Sequence, residues 1–571
     1  MENARIADML AEIADLLDLK GANEYRIRAY QSASQSIRDL SERVEDLAEE
    51  DKDLSELPSI GKGMAEKITE ILERGTCSRL EELKNEIPEG LTTLMDIPGL
   101  GPRKVEQLNQ ELDIESLEDL KKAAKGHEIR KLDGMGAKTE EKILEGIATV
   151  KETAGRLLHS EAREYLRSLK GHLDRLDGID EWEVAGSLRR GKETIGDLDV
   201  LIRAKNREAA GDQILAYDNI DRVISQGKER ISVRLEGGFQ VDFRFFDPEA
   251  FGSALLYFTG SKAHNIALRK IAQKRDWKLN EYGLFKGDHR LAGHDEAGIY
   301  KRLNLKWIPP ELREDRGEVD AARSGDLPTL IERSDIRGDF QCHTTASDGQ
   351  HTIKKMATSA KEYGFDYLAI TDHSKRVTMA EGLDDDATRK HADRIRKVND
   401  SLERFWLLAG IEVDILKSGK LDLKEKTLAG LDWVVASIHY DRNMSKKAMT
   451  DRIVTAIRSG VVHCLGHPLG RIIGKREPLE VDLDEVFQAC LDHDVRIEIN
   501  AQPDRLDLPD VHCKRARDAG VGFTLGTDAH SADSFHFIDS GVLAARRGWL
   551  RKKDVLNTVT ITELKKRLRR R

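Results

Sequence analysis

Cysteine is scarce in this 571-residue sequence, which holds five cysteines and no C-x-x-C pair. An odd, scattered set excludes a disulfide framework and a cysteine zinc site, and it is typical of a reducing cytoplasm. Long apolar runs are also missing, because no uninterrupted stretch approaches the roughly 18 residues that a membrane span needs. The first 20 residues alternate Ile and Leu with Asp and Glu at helical spacing, which is not the pattern of a signal peptide. We therefore expect a cytoplasmic protein without a membrane segment.

Positive charge is in deficit, since 93 Lys and Arg face 103 Asp and Glu, giving a net charge of −10. Taken alone, this charge argues against a nucleic-acid partner, because phosphate binding needs Lys and Arg. The net charge is a sum over domains, however, and acidic clusters that bind metals would lower it without weakening a basic groove elsewhere. At roughly 150 residues per domain, the length suggests about four domains.

Three similar patterns occur in the first quarter of the chain. Each is a leucine-rich helix, a turn with two glycines, and a second amphipathic helix; the glycines are Gly61 and Gly63, Gly99 and Gly101, and Gly134 and Gly136. Such a turn leaves the first N–H groups of the second helix unpaired, which makes a phosphate site. One copy would indicate only a helix connection. Three copies resemble helix-hairpin-helix motifs, which hold the DNA backbone without reading its sequence.

Three aspartates in two predicted strands form a candidate metal site. Asp197 and Asp199 point to the same face of one strand, because side chains alternate along a strand. Asp242 lies in a second apolar strand. Three neighbouring carboxylates are unfavourable unless cations neutralise them, and oxygen-only ligands suit Mg²⁺ or Mn²⁺. Two such ions about 4 Å apart would clamp the attacking and leaving oxygens of a phosphoryl transfer.

A short segment ahead of these aspartates is a candidate triphosphate site. Gly186 and Ser187 at a helix start would offer N–H donors, and Arg190 would add charge. D-x-D alone would favour exposed surface aspartates, but its combination with G-S-x-x-R and a third strand carboxylate is more specific. The combination resembles the nucleotidyltransferase palm of family X DNA polymerases. That resemblance implies that the three aspartates are catalytic and hold two ions, Mg²⁺ or Mn²⁺.

The next segment resembles the thumb of the same family. The resemblance implies that Tyr257 and Phe258 pack under the sugar of the nucleotide, next to Gly260. It implies that Asn265 and Arg269 reach the minor-groove side of the nascent pair and the template. Without the flanking motif, the two aromatic residues would be read as a core pair at a helix–strand junction.

The N-terminal region resembles the lyase-type domain of the family, and Lys67 falls where the lyase nucleophile lies. A lysine near helix N-terminal amides and other cations has a lowered pKa and can form a Schiff base. A neighbouring position that is often lysine in the family is Gly63 here. A solvated lysine on an amphipathic helix is therefore the favoured interpretation.

After residue 335, apolar runs end in metal-competent residues about every 30 residues. Seven such runs separated by amphipathic helices predict a closed α/β barrel of about seven strands, with its chemistry at the carboxyl ends. The candidate ligands at these ends are His343, Asp348, His373, Glu412, His439, His467, Asp528 and His530. Mixed imidazole and carboxylate ligands suit Zn²⁺, Mn²⁺ or Fe²⁺, and a multinuclear site would activate water for phosphoester hydrolysis.

The order of these ligands resembles the polymerase-and-histidinol-phosphatase (PHP) domain, which is fused to family X polymerases in bacteria and archaea. The resemblance implies up to three bound ions. The opening motif of that domain is H-x-H, but here it reads Gln341-Cys342-His343. Glutamine offers only a weak, neutral ligand oxygen, so hydrolysis is expected to continue with weaker or more selective metal binding at this position. The alternative is a barrel retained as an inactive scaffold.

The whole chain therefore resembles a multidomain family X polymerase with α+β and α/β parts. The predicted domains are 1–85, lyase-like with a helix-hairpin-helix; 86–150, fingers with two such motifs; 151–250, palm; 251–315, thumb; 316–335, linker; and 336–571, a (β/α)7-like PHP barrel.

The predicted function is short-gap filling in base excision repair, acting as a monomer on gapped or primer-template DNA with dNTPs. The barrel is predicted to process a DNA 3′ end as a 3′-5′ exonuclease, or to act as an AP endonuclease. Two other classes stay open: a repair nuclease or phosphatase whose palm only binds DNA, and a DNA-binding scaffold without catalysis.

Overall fold

The computed structural model describes residues 1–40, 42–95, 97, 100–153 and 155–568, which form two compact units. The first unit consists of residues 1–154, 332–542 and 553–571, and the second of residues 155–331 and 543–552. In the described part of the chain, no helix has both the length and the apolar character that crossing a membrane requires. All five cysteines are buried free thiols.

The N-terminal part of the first unit is helical. Its helices are α1 Asn3–Leu19, α2 Glu24–Asp39, α3 Val44–Glu49, α4 Lys62–Arg74, α5 Ser78–Glu86, α6 Glu89–Met95, α7 Pro102–Leu112, α8 Leu117–Lys125 and α9 Ala137–Thr153. In α1, Ile6, Leu10, Ile13 and Leu17 recur at three- and four-residue spacing and are all buried, so the helix forms by burying one apolar stripe. The predicted helical N-terminal domains are confirmed.

The second unit begins with a mixed sheet. Its elements are β1 Leu157–Leu158, α10 His159–Leu173, β2 Ile179–Val184, α11 Gly186–Arg189, β3 Thr194–Ile195, β4 Asp197–Ala204, α12 Arg207–Leu215, β5 Ile220–Gln226, β6 Arg230–Leu235 and β7 Gln240–Phe245. The main sheet has the order β2-β4-β7-β6-β5. Strands β4 and β7 pair in parallel, so residues 43 positions apart in sequence become neighbours.

The rest of this unit packs around a second core. Its elements are α13 Phe251–Thr259, α14 Lys262–Gln273, β8 Lys278–Asn280, β9 Gly283–Lys286, β10 His289–Ala292, α15 Glu296–Arg302 and α16 Glu318–Ser324. Helix α16 lies within the stretch 316–335 that the sequence predicts as a linker. Glu318 of α16 is fully buried and its Oε1 lies 2.7 Å from Nδ1 of His264, so part of this stretch packs against α14.

The C-terminal part of the first unit is an α/β barrel. Its elements are β11 Gly338–Cys342, α17 Ile353–Glu362, β12 Tyr367–Ile370, α18 Asp385–Asn399, β13 Trp406–Asp414, α19 Glu425–Leu428, β14 Trp433–Ser437, α20 Lys446–Ile457, β15 Cys464–Leu465, α21 Leu483–Asp492, β16 Arg496–Asn500, α22 Asp510–Ala519, β17 Phe523–Gly526, α23 Ile538–Arg547 and α24 Ile561–Leu568. Residues 543–547 of α23 belong to the second unit.

Within the described residues, seven parallel strands follow one another in sequence order around this barrel. The first and last strands approach each other where Cys342 bridges Ala529 and the His343 amide donates to the Ala529 carbonyl at 2.8 Å. The predicted seven-stranded barrel is therefore confirmed. Its closure brings the carboxyl ends of the strands together at one mouth.

Candidate active sites

The palm aspartates lie on the paired strands β4 and β7. Asp197 is exposed at the first position of β4, and Asp199 lies two residues further along the same face. The parallel register places Asp199 directly opposite Asp242, which is only 3% exposed. Leu198 and Val200 point the other way into the core. The structure thus brings the three predicted carboxylates together at one edge of the sheet.

Two arginines pair with these aspartates. Arg230 donates to Asp242 at 2.7 Å, and Arg244 donates to Asp242 at 3.1 Å and to Asp199 at 3.4 Å. Burial and the neighbouring Asp197 charge raise the pKa of Asp199 to about 6. Although burial alone raises the pKa of Asp242, the hydrogen bond and charge of Arg230 hold it below its usual value. The site is short of positive charge at Asp199, so its all-carboxylate donor set fits a hard divalent cation.

A tight loop precedes β4. Gly186 begins α11 with φ of +64°, and a Cβ there would lie 2.9 Å from Asp199 Oδ2. Glycine is required because the loop passes directly over that carboxylate. Ser187 follows in the same turn. The Arg190 guanidinium is held by other protein groups. Its Nε donates to Glu314 at 3.1 Å and its Nη1 donates to the Thr259 carbonyl.

The two residues predicted to pack under the sugar lie at the end of α13, and the two predicted to reach the minor-groove side lie on α14. Tyr257 and Phe258 are half-buried with ring centroids 5.0 Å apart. Asn265 Nδ2 donates to the Tyr257 carbonyl at 2.7 Å, and the Arg269 guanidinium lies 5.2 Å from the Tyr257 ring centre. The Arg244 guanidinium lies 4.4 Å from the Phe258 ring centre. This contact connects the aromatic pair to the palm aspartates.

A further glycine adjoins this group. Gly260 follows α13 with φ of +69°, and a Cβ there would lie 3.3 Å from Arg190 Nη1. The left-handed backbone and the nearby guanidinium both favour glycine at this turn.

The glycines of the hairpin motifs mark the starts of three helices. Gly61 and Gly101 immediately precede α4 and α7 and have no side chain to cap the first amides, and Gly136 immediately precedes α9. Gly63 lies in the first turn of α4, Gly134 has φ of +72°, and Gly99 lies outside the described residues. The binding of phosphate at these turns stays a prediction.

Lys67 lies in the second turn of α4. Its Nζ donates to the Gly63 carbonyl at 2.8 Å. A lysine engaged by a backbone carbonyl on its own helix matches the favoured interpretation of a surface lysine.

The barrel ligands converge around Glu412, at the end of β13. Four imidazoles surround its buried carboxylate, with shortest N···O distances of 3.6, 3.1, 3.5 and 3.0 Å for His343, His373, His439 and His467. Although both carboxylate oxygens are fully buried, neither makes a hydrogen bond. Oxygens that face several nitrogens without bonding to them fit a shared metal ion.

Two more carboxylates complete the cluster. Asp348 lies 3.7, 3.4 and 3.4 Å from nitrogens of His343, His373 and His530, and Asp528 accepts a hydrogen bond from His343 at 3.0 Å. Donor atoms within 4.8 Å of one another form three sets: His343, Asp348, His373 and His530; His373, Glu412 and His439; His343, Glu412 and Asp528. Among the described residues, all such sets lie in the barrel.

The electrostatics of this mouth favour cations. Burial opposes protonation of His439, yet the charges of Glu412 and Asp414 raise its pKa to about 9. Burial also opposes protonation of His530, but Asp348 raises its pKa to about 10. The carboxylates therefore draw positive charge onto the imidazoles, and divalent ions would satisfy the same demand.

Gln341 lies beside this cluster. It is fully buried, its Nε2 is 3.5 Å from Asp528 Oδ1, and its Oε1 makes no hydrogen bond. An unpartnered buried amide oxygen is a suitable neutral ligand.

Other residues support the ligands, and two of them, Asp414 and Glu498, were not predicted. Asp414 Oδ1 accepts from His439 Nδ1 at 3.1 Å, which fixes the orientation of that ring. Glu498 lies inside β16, is buried, and accepts from the His467 amide at 2.7 Å. Asn500 donates to Asp528 at 3.0 Å. The available signal was polar residues alternating with Ile497 and Ile499 in an apolar strand.

The chain matches known protein families in consecutive segments. These are a helix-hairpin-helix domain over residues 1–77, a SAM-like helix-hairpin-helix tandem over 91–149, a DNA polymerase beta palm over 156–234, a DNA polymerase beta thumb over 254–314 and a PHP domain over 339–502.

Two kinds of relative match this chain, one over its full length and one over a part of it. The chain is 36% identical over 578 residues to the DNA polymerase/3′-5′ exonuclease PolX of Bacillus subtilis (strain 168), covering 100% of both chains. The second kind matches a smaller part of this chain. A probable phosphatase of Vibrio parahaemolyticus is 29% identical over 242 residues, which is 40% of this chain and 93% of that protein. A probable phosphatase of Thermoanaerobacter sp. (strain X514) is 26% identical over 231 residues, 38% of this chain and 89% of that protein.

Proposed function

Since the chain belongs to the family X DNA polymerases that carry a C-terminal PHP domain, we propose that it extends a primer in the palm and hydrolyses a phosphoester at a DNA 3′ end in the barrel. The two reactions are opposite in direction, because one adds a nucleotide and the other removes one. Together they suit the filling and cleaning of short gaps in base excision repair.

The polymerase assignment rests on the strand register that places Asp199 opposite Asp242. We assign Asp197, Asp199 and Asp242 to binding two ions, Mg²⁺ or Mn²⁺. When bound, such ions neutralise the triphosphate and favour the ionised form of the attacking hydroxyl. The 3′-hydroxyl of the primer attacks the α-phosphorus of the dNTP, and pyrophosphate leaves.

The chain's own residues position the substrate in this reaction. The Gly186 turn lets backbone N–H groups approach the phosphates beside Asp199. Arg230 and Arg244 hold the acids while no cation is bound and must release Asp242 as the ions bind. Arg190 can reach the triphosphate only by leaving Glu314.

The cluster around Glu412 carries the hydrolase assignment. We assign His343, Asp348, His373, Glu412, His439, His467, Asp528 and His530 to binding up to three ions, Mn²⁺, Zn²⁺ or Fe²⁺, with Gln341 as a weaker neutral ligand. When bound, such ions activate water and neutralise the phosphate. Asp414 holds the His439 ring in place. The buried Glu412 carboxylate keeps the site selective for cations.

A gapped duplex separates the two activities. Wild type, Asp199→Ala and His343→Ala are incubated with a labelled one-nucleotide-gapped duplex and Mg²⁺ or Mn²⁺, with and without dNTPs. Asp199→Ala is expected to abolish extension and His343→Ala to abolish primer shortening. Wild type that extends but never shortens the primer would indicate a barrel retained as a scaffold. Wild type that never extends would overturn the polymerase assignment.

A further inference from the structure

Five cations line one cleft of the first unit. They come from the hairpin helices α7 and α9 and from the loops that follow β14 and β15, and they are Lys104, Lys138, Lys142, Arg442 and Arg476. The carboxylates that line the same cleft are those of Glu477 and Glu480. A cationic cleft on a chain with a net charge of −10 is a local concentration of positive charge that attracts an anion.

The carboxylates of the cleft do not neutralise all of these cations. Lys138 pairs with Glu480 at 2.8 Å, but the Arg442 Nη2 donates to the backbone carbonyl of Glu477 at 3.2 Å rather than to a carboxylate. The Nε of Arg476 is buried and has no hydrogen-bond partner among the residues that the structure describes. Burial together with Arg505 and Arg442 lowers the pKa of Arg476 to about 10, and burial together with Lys142 lowers the pKa of Lys104. A bound polyanion would relieve this crowding of like charges.

Two of the lysines that line the cleft lie at helix starts. Lys104 lies three residues after Gly101 and Lys138 two residues after Gly136, each in the first turn of a hairpin helix. The N-terminal amides of two helices therefore lie close to the cationic side chains, and phosphate oxygens accept from both kinds of donor.

The cleft continues electrostatically to the barrel mouth. Arg442 and Arg476 follow the strand ends that carry His439 and His467. Arg505 interacts electrostatically with Arg442 and Arg476, and also with Asp528 and Glu412 of the metal cluster. The cleft therefore lies between the hairpin helices and two loops that follow the carboxyl ends of barrel strands.

We propose that this cleft binds the phosphodiester backbone of a single DNA strand and leads its 3′ end to the barrel metal centre. A single strand is required because His343 and Glu412 are recessed, with exposures of 0% and 1%. The second and third hairpin motifs then serve the hydrolytic site as well as the polymerase. This inference rests on the proposed hydrolytic function. Measuring DNA binding and hydrolysis separately distinguishes a failure of the cleft from a failure of that function.

The test uses the full chain and a labelled single-stranded oligonucleotide. The variant is Lys142→Ala/Arg476→Ala, and its matched control is Lys142→Arg/Arg476→Lys, which keeps both charges. Lys426→Ala changes an exposed lysine of α19 that does not line the cleft. Binding is measured by fluorescence anisotropy in EDTA at several salt concentrations. Shortening of the oligonucleotide and hydrolysis of bis(p-nitrophenyl) phosphate are measured with Mn²⁺.

The charge-removing variant is expected to raise the Kd and the KM for the oligonucleotide by about tenfold, with kcat changed less than about twofold. The slope of log K against log salt is expected to fall by about 1.4, since each lost phosphate contact contributes about 0.7. Both control variants are expected to bind within about twofold of wild type. The rate of bis(p-nitrophenyl) phosphate hydrolysis measures the activity of the metal centre directly.

An unchanged Kd and salt slope in the charge-removing variant would overturn the proposal. If that variant does not fold, Lys142→Glu on the half-exposed face of α9 replaces it, and an unchanged Kd there has the same meaning. Wild type that binds through the cleft but hydrolyses neither substrate would remove the hydrolytic function while supporting the binding cleft.

Discussion

Asp199 lies directly opposite Asp242 in the parallel pair of β4 and β7, with Arg244 donating to both carboxylates. Two acids side by side in a half-buried site repel each other, and arginine neutralises them only in part. The arrangement lowers the stability of the cation-free protein but allows it to bind cations, and the lost stability can be measured.

Asp199→Asn is expected to stabilise the protein at pH 7 in EDTA. The pKa of Asp199 is raised to about 6 from its usual value of 3.8. The raised pKa therefore makes its full contribution to the free energy of unfolding below pH 3.8. This contribution is lost as the pH rises through about 6. The amide removes this loss, so the expected gain is about 1–3 kcal/mol at pH 7, shrinking as the pH falls toward 4. Calorimetric melting temperatures between pH 4 and pH 7 measure it.

The control for this prediction is Asp197→Asn, at the exposed end of β4. Asp197 acts on Asp199 only through its charge, so a smaller gain is expected. Equal melting temperatures for Asp199→Asn and wild type across the pH range would contradict the repulsion.

Gln341→His is expected to increase metal binding in the barrel. Gln341 is fully buried beside Asp528, and an imidazole is a stronger ligand than a neutral amide oxygen. The bound Mn²⁺ or Zn²⁺ per chain, measured by mass spectrometry after desalting, should rise, and 3′ shortening should rise with it. Gln341→Ala should lower both if the amide oxygen is a ligand. Identical metal content in all three proteins would show that this position does not contribute.

Divalent ions are expected to stabilise the barrel. The carboxylates of Glu412 and Asp528 are buried at the mouth, so a bound ion removes their mutual repulsion. At a concentration about 100 times the dissociation constant, the expected stabilisation is about 2.7 kcal/mol. Thermal unfolding with and without EDTA measures it. Glu412→Gln should lose most of this response, and a full response in that variant would contradict the assigned ligand.

Glu296→Gln is expected to destabilise the second unit. Glu296 forms bidentate bonds with Arg189 at 2.8 and 2.9 Å and with Arg313 at 2.6 and 3.0 Å, and it is 7% exposed. Breaking a buried ion pair on one side typically costs about 3–5 kcal/mol. Limited proteolysis should cleave this unit faster and primer extension should fall, while 3′ shortening persists. The exposed Glu249→Gln is the control and should behave as wild type.

The barrel was predictable because its signal repeats along the chain. Each apolar run ends in a polar residue such as Glu412 or His467, and parallel strands bring those ends to one mouth. Glu498 escaped prediction because it lies within a strand rather than at its end. Its role depends on alternation into the barrel interior, which a short apolar run does not reveal.

The palm was predictable only in part. The spacing of Asp197 and Asp199 gives a shared face, but the sequence does not contain the sheet order that places Asp242 opposite Asp199. The sequence likewise does not predict the partner of Arg190, because Glu314 lies 124 residues away and contacts it only through tertiary packing. Long-range pairing, rather than local pattern, decides these positions.

Asp242→Asn and Glu412→Gln test whether the chain carries two catalytic centres with independent ligands. Both variants and wild type are mixed with a labelled gapped duplex, once with dNTPs and once without. Asp242→Asn is expected to lose extension by at least about 10³-fold and to keep 3′ shortening, while Glu412→Gln is expected to show the reverse. Loss of both activities in either variant, at unchanged folding, would show that the two centres are not independent.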